Sequence, residues 1–178
     1  RASDSYPLPL VEYENGKKAV DWILASLGSI GASEFIFVGG YHVEKLVSEY
    51  PGYRFYYNER WHDTGALYSL YQAREELNAA CFISPTNILY HQEALEPLMA
   101  VDEHITVGLV KSPNYVSGRR RKKVDATLWE ANEISAIFIK LSKEGAITFA
   151  NQIDSLQIDG DELFIRELKG IAKFRWGN

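Results

Sequence analysis

The sequence has one cysteine, Cys81. That excludes an intramolecular disulfide framework and any metal site built on several thiolates. It has no run of 18 apolar residues and no secretory-signal pattern, so we expect neither a membrane span nor an exported precursor, and place the protein in the cytoplasm. No HExxH pair and no GxGxxG turn occur. The four histidines, His42, His62, His91 and His104, fall on separate elements, and His62-Asp63 reads as a solvated loop pair. Positive charge is also scarce: 19 Lys and Arg against 24 Asp and Glu give a formal net charge of -5. A nucleic-acid partner is therefore not expected. The one basic cluster, Arg119, Arg120, Arg121, Lys122 and Lys123, reads as a solvated insertion loop.

With 178 residues, 46% hydrophobic and 24% charged, the chain has the bulk of one globular domain with a core of ordinary size. The organising stretch is residues 53–90. Phe55-Tyr56-Tyr57 reads as a strand, residues 58–65 as a polar loop, residues 66–77 as a helix and residues 79–83 as a short buried strand. The polar residues Ser84-Pro85-Thr86-Asn87 follow that strand, where an open α/β sheet places its ligand. Upstream, residues 10–13 read as a short strand closed by a turn at Glu14-Asn15-Gly16. Residues 17–30 read as an amphipathic helix stopped by Gly31, residues 34–38 as a strand buried on both faces, and residues 41–50 as a helix. Downstream come a helix over 92–100 and a strand over 104–110.

Short antiparallel strands are expected over 135–141, 146–150, 155–159 and 162–168, with hairpin turns at Glu144-Gly145 and Asp159-Gly160. Asp154, Asp159 and Asp161 then fall on a hairpin. The alternation implies a doubly wound α/β domain with a mostly parallel, Rossmann-like sheet. It spans residues 1–178, a parallel α/β half over 1–110 and a β-rich extension over 111–178. Strands 34–38, 53–57 and 79–83 should share one sheet.

Several segments, in order, carry a resemblance. They are Pro7-Leu8-Pro9-Leu10-Val11-Glu12, Gly16-Lys17-Lys18, Phe37-Val38-Gly39-Gly40-Tyr41 with Glu44-Lys45, and Tyr57-Asn58. Thr64-Gly65-Ala66-Leu67-Tyr68-Ser69-Leu70, Ile83 to Tyr90, and Lys169-Gly170-Ile171-Ala172-Lys173-Phe174 complete the series. Together they resemble the nucleotidyltransferase superfamily, in its sugar-phosphate and phosphocholine cytidylyltransferase flavour. The resemblance implies the nucleotide-diphospho-sugar transferase fold. It also implies a reaction joining an NTP, CTP favoured, to a phosphorylated small alcohol or sugar with release of pyrophosphate. Such catalysis is positioning plus charge neutralisation at the phosphates, with Mg²⁺ held by carboxylates.

The resemblance assigns Arg1 to the last basic position of the family's glycine-rich turn, with Asp4 where a second Arg often follows. The family's first strand falls before Arg1, and its last metal-binding Asp beyond Asn178. Leu8 stands where the family has Lys. Asn87 stands where it has a metal-binding Asp, or Thr86 does if the register slips by one. Asn58, Gly65, Ala66 and Ser69 become candidates for nucleotide or substrate contacts, although Thr64 equally reads as a plain helix cap. Trp61 and Tyr68 become candidates for an aromatic box around a choline cation, against ordinary packing. Gly39-Gly40 reads as a tight strand-to-helix turn. With Leu8 and Asn87 neutral, impaired turnover is expected. The alternative is a non-catalytic nucleotide- or metabolite-binding domain that keeps the fold.

Overall fold

The computed structural model describes residues 6–111, 134–155 and 173–176. The chain enters through a 3₁₀ turn, Leu8–Leu10, and a second tight turn, Glu14–Gly16, where Asn15 and Gly16 both adopt positive φ. Helix α1 (Ala19–Ser29) begins where the Lys18 N–H donates to the Asp21 carboxylate at 3.0 Å. It ends at Gly31, whose φ of +102° lets the Ala32 N–H reach back to Leu27 O. Its buried residues, Ala19, Val20, Ile23 and Leu27, fall at helical spacing.

Strand β1 (Ile36–Gly39), helix α2 (Val43–Glu49) and strand β2 (Arg54–Tyr57) form a βαβ unit, with Phe37 opposite Phe55 in a parallel pair. Helix α3 (Ala66–Gln72) and a 3₁₀ turn at Arg74–Glu76 lead to β3 (Cys81–Ile83). Then come α4 (Gln92–Met99), β4 (Ile105–Lys111), β5 (Ile134–Leu141), α5 (Lys143–Ser155) and β6 (Lys173–Trp176). The second sheet has the order β3-β5-β4-β6. Within it β5 opposes both β3 and β4, and β6 is parallel to β4, so three strands run one way and β5 the other.

Both faces of this sheet are covered. Ile139 and Leu141 of β5 pack with Ile105 and Val107 of β4, Leu67 of α3, and Ala146, Phe149 and Ile153 of α5. Phe138, one residue out of phase, turns to the other face and meets Ile23 and Leu27 of α1 and Leu95 and Leu98 of α4. The third cluster joins Leu10, Val20, Phe37 and Leu46, so α1 packs on both sheets. On the opposite side α3 touches β1, β2 and α5. Each fully buried side chain such as Leu95 or Phe138 contributes about 1.5–3 kcal/mol.

Several expectations are corrected. Strands 34–38, 53–57 and 79–83 do not share one sheet. β1 and β2 form a two-stranded parallel sheet, while β3 takes β5 as its neighbour, and the two are joined by packing under α1 and α3. β1 is not buried on both faces: Phe37 is buried, but Ile36 and Val38, which point to the opposite face, are only partly buried. Residues 10–13 form a 3₁₀ turn and a single bridge, Glu12 to Lys18, instead of a strand.

The strand over 146–150 and the hairpin turn at Glu144-Gly145 are helix α5. Ser142 Oγ accepts from the Gly145 N–H at 3.1 Å as an N-cap, and Ala146, Phe149 and Ile153 form one buried stripe. Asp154 therefore sits on a helix, where it pairs with Arg74 at 2.9 Å. The helix expected over 66–77 also breaks, at Ala73, into α3 and the 3₁₀ turn. Of the strand expected over 155–159, Ser155 ends α5 instead; the rest of it, the strand over 162–168, Asp161 and the basic cluster Arg119–Lys123 lie outside the described residues, as does Arg1.

Candidate active site

A cavity of about 290 Å³ opens at the carboxyl end of β1, walled by Phe37 to Tyr41, Val43 and Leu46. Pro7, Leu8 and Pro9 close one side, and Thr86 and Asn87, beyond β3, close another. This is the position at which open α/β sheets bind ligands, outside the carboxyl ends of strands. Its volume lies at the lower end of the ~300–1,000 Å³ typical of small-molecule sites.

Each wall has a local cause. The entry segment is pinned by the fully buried Leu10 and by Glu49, which accepts from Tyr6 Oη at 3.1 Å and from the Lys18 ammonium. Lys18 accordingly holds the Glu49 carboxyl below the ordinary carboxylate range. The Tyr50 hydroxyl, its pKa raised by burial and by the Asp21 carboxylate, donates to Asp21 at 2.7 Å and ties α2 to α1. At Gly39 a methyl would strike Val43 of α2, and at Gly40 it would strike the Trp61 side chain, so both positions require glycine for close approach. His42 turns the chain into α2 with φ +50°. On the β3 side, Ser84 Oγ donates to Tyr90 Oη at 2.8 Å, and burial pushes the Tyr90 hydroxyl up to about 12.

The structure sorts the candidate residues into two groups. Leu8, Thr86 and Asn87 line the cavity, whereas Gly65, Tyr68 and Ser69 are not among its lining residues. Ser69 instead bonds to Asn58 and, through its N–H, to Gly65 O. Gly65 is the N-cap of α3, with Ala66 the first helical residue, so Thr64 is not that cap. Thr64 Oγ1 instead donates to Arg60 O at 2.6 Å. Asn58 is 1% exposed, and its amide donates to Thr64 Oγ1 and Ser69 Oγ, each at 3.0 Å.

Trp61 and Tyr68 have separate partners. Trp61 lies edge-on to Tyr41 with centroids 5.1 Å apart, while the Arg60 guanidinium covers the Tyr68 ring at 5.3 Å. His62 and Asp63 form an exposed pair at 3.0 Å. Sequence reasoning missed Tyr41 and Val38 as cavity walls. The signal was present in Gly39-Gly40, since a turn with no room for side chains leaves its neighbours to form the surface.

The donor chemistry decides the fit to Mg²⁺. Among the described residues, the cavity lining offers an amide, Asn87, and two hydroxyls, Thr86 and Tyr41, and no carboxylate. Among the described residues no group of three or more His, Cys, Asp or Glu side chains converges. Mg²⁺ is ordinarily fixed by one or two carboxylates with phosphate oxygens, so these residues do not fit it, and Asn87 alone brings no charge.

The two-sided packing, the carboxyl-end cavity and the order of elements describe an α/β fold, and comparison with solved structures shows which proteins share it. The inositol-1-phosphate CTP transferase from T. maritima superimposes with a TM-score of 0.70 at 18% identity, over 98% of this chain and 78% of that one. A putative glucose-1-phosphate thymidylyltransferase from Bacillus anthracis gives 0.64 at 12% identity, over 99% and 80%. The CTP:phosphocholine cytidylyltransferase from Streptococcus pneumoniae gives 0.58 at 18% identity, over 97% and 82%. No protein-family model and no curated protein sequence matches the chain. No helix among the described residues is long and apolar enough to cross a membrane.

Proposed function

We propose that this protein binds a nucleotide, CTP favoured, together with a phosphorylated small alcohol or sugar, and that it turns them over to a nucleotide-linked product and pyrophosphate only poorly. The observation that carries this reading is the cavity at the carboxyl end of β1, closed by Asn87 on the β3 side. The similar solved structures, two of them CTP-dependent by name, favour CTP over other nucleotides. The poor turnover follows from the lining: Leu8 and Asn87 are neutral where a reaction at phosphates needs preorganised charge. Calorimetric titration with CTP, UTP, ATP and dTTP, each with and without inositol 1-phosphate, phosphocholine or glucose 1-phosphate, tests the binding. CTP should bind most tightly of the four. Absence of binding by all four would overturn the reading.

The same lining favours a second reading, a non-catalytic nucleotide- or metabolite-binding domain. It differs in one outcome: ligand binds, and no pyrophosphate appears even after charge is restored at residues 8 and 87.

A further inference from the structure

We infer that Asn58 is a positioning residue that sets the Gly40–Tyr41 wall of the cavity through Trp61. The inference rests on the ligand-binding reading of that cavity. Asn58 lies one residue beyond β2, and its backbone N–H donates to Gly39 O at 2.9 Å, at the end of β1. Its side chain is buried, with three of its four hydrogen-bonding sites engaged. Nδ2 donates to Thr64 Oγ1 and Ser69 Oγ, and Oδ1 accepts from the Arg60 N–H at 2.9 Å. Thr64 Oγ1 returns a bond to Arg60 O, so residues 58–64 close into a ring of hydrogen bonds anchored on the first turn of α3.

That ring fixes Arg60, and with it Trp61. Trp61 rests on Gly40 so closely that a methyl there would lie within 3 Å of three of its side-chain atoms, and its ring meets Tyr41. Gly40 and Tyr41 are cavity walls. A buried amide with its groups taken does not contact ligand. It acts through Trp61. Loss of the ring should release Trp61 and let the wall relax, whereas a side chain of merely structural weight would lower stability without selecting that wall.

The experiment compares Asn58→Ala, Thr64→Val and Thr64→Ser with the unmodified chain by amide hydrogen exchange and by CTP titration at a temperature where all are folded. Asn58→Ala and Thr64→Val should raise exchange tenfold or more at residues 40–43 and 60–65. The core amides of Phe138 and Ile139 should change much less, and CTP should bind at least tenfold more weakly. Thr64→Ser keeps the hydroxyl and should restore both readouts. Exchange rising uniformly across the chain would overturn the inference, as would a rise at 60–65 with residues 40–43 unchanged. Should the unmodified chain bind no nucleotide, the ligand reading fails, and the exchange at residues 40–43 still decides whether Asn58 sets the wall.

Discussion

Substituting alanine for glycine inside a helix usually stabilises by about 0.5–1 kcal/mol, because glycine has more backbone freedom to lose. Gly145, within α5, should do the opposite. A methyl there would sit 1.9 Å from His104 O and 2.7 Å from its carbonyl carbon. Ordinary contact needs roughly 3.5 Å, so α5 and the start of β4 would have to separate by roughly 1.5 Å. The obstacle is backbone, and it cannot rotate aside. His104 O also accepts from the Ser142 N–H at 2.9 Å, so separation strains the bond that sets the helix start. That bond is worth about 1 kcal/mol, and prising a packed helix from its sheet costs about 1–3 kcal/mol more.

After the helix-propensity gain is subtracted, Gly145→Ala should destabilise by about 1–3.5 kcal/mol, lowering Tm by about 2–14 °C in a chain of this size. Gly28, near the end of α1 with nothing within 4 Å of the added methyl, is the control. Gly28→Ala should stabilise by about 0.5–1 kcal/mol. Urea unfolding of both variants reads the signs. A Gly145→Ala protein as stable as the parent would refute the packing of α5 against β4.

Two further outcomes are expected. Lys140, half-buried on β5, donates to Leu98 O, Met99 O and Val101 O at 3.5, 3.1 and 2.5 Å, capping the carboxyl end of α4 with charge. Lys140→Met keeps the stem and loses the donors. It should cost about 2 kcal/mol, with early hydrogen exchange at the end of α4, and unchanged unfolding curves would remove the cap from the account. Burial pushes the Cys81 thiol from an ordinary 9.0 up to about 11. Iodoacetamide should therefore modify it at least about 100-fold more slowly than a free thiol at pH 8. The folded pKa is the raised one, so this group's contribution to stability is complete below pH 9 and lost as pH rises toward 11. Fast alkylation of the folded protein would contradict its packing in the core.

Most helices and strands of the first 111 residues were legible because their patterns are long and of one period. The stripe Ala19, Val20, Ile23, Leu27 admits only a helix, and the two glycines at the end of β1 forecast a turn. Residues 146–150 were illegible for the converse reason. Ala-Ile-Thr-Phe-Ala alternates like a strand, and the helical stripe emerges only when Ile153 and the Ser142 cap are counted with it. Glu144-Gly145 compounded the error, since a glycine held by close approach to His104 looks the same in sequence as one held by a turn. Strand partnership was not local information: the triplet Cys81–Ile83 pairs with β5, its partners 56 to 60 residues away, and its own pattern names no neighbour.

The site was legible only in part, since Gly65, Tyr68 and Ser69 do not line the cavity that Asn87 closes. The polar residues after β3 do reach the cavity at Thr86 and Asn87. Asn58, in a polar stretch, reads as a ligand contact. Its burial follows from partners six and eleven residues on, Thr64 and Ser69, which satisfy it internally.

The proposed function attributes poor turnover to a cavity whose described lining is poor in charge. Continuous pyrophosphate release tests it most directly, with CTP, Mg²⁺ and each phosphorylated acceptor, comparing the unmodified chain with the Leu8→Lys, Asn87→Asp double variant. Removing one preorganised electrostatic group typically costs on the order of 10²–10³ in rate. Scant release by the unmodified chain and a rise of at least about 10²-fold in the double variant are expected. Rapid Mg²⁺-dependent release by the unmodified chain would contradict it.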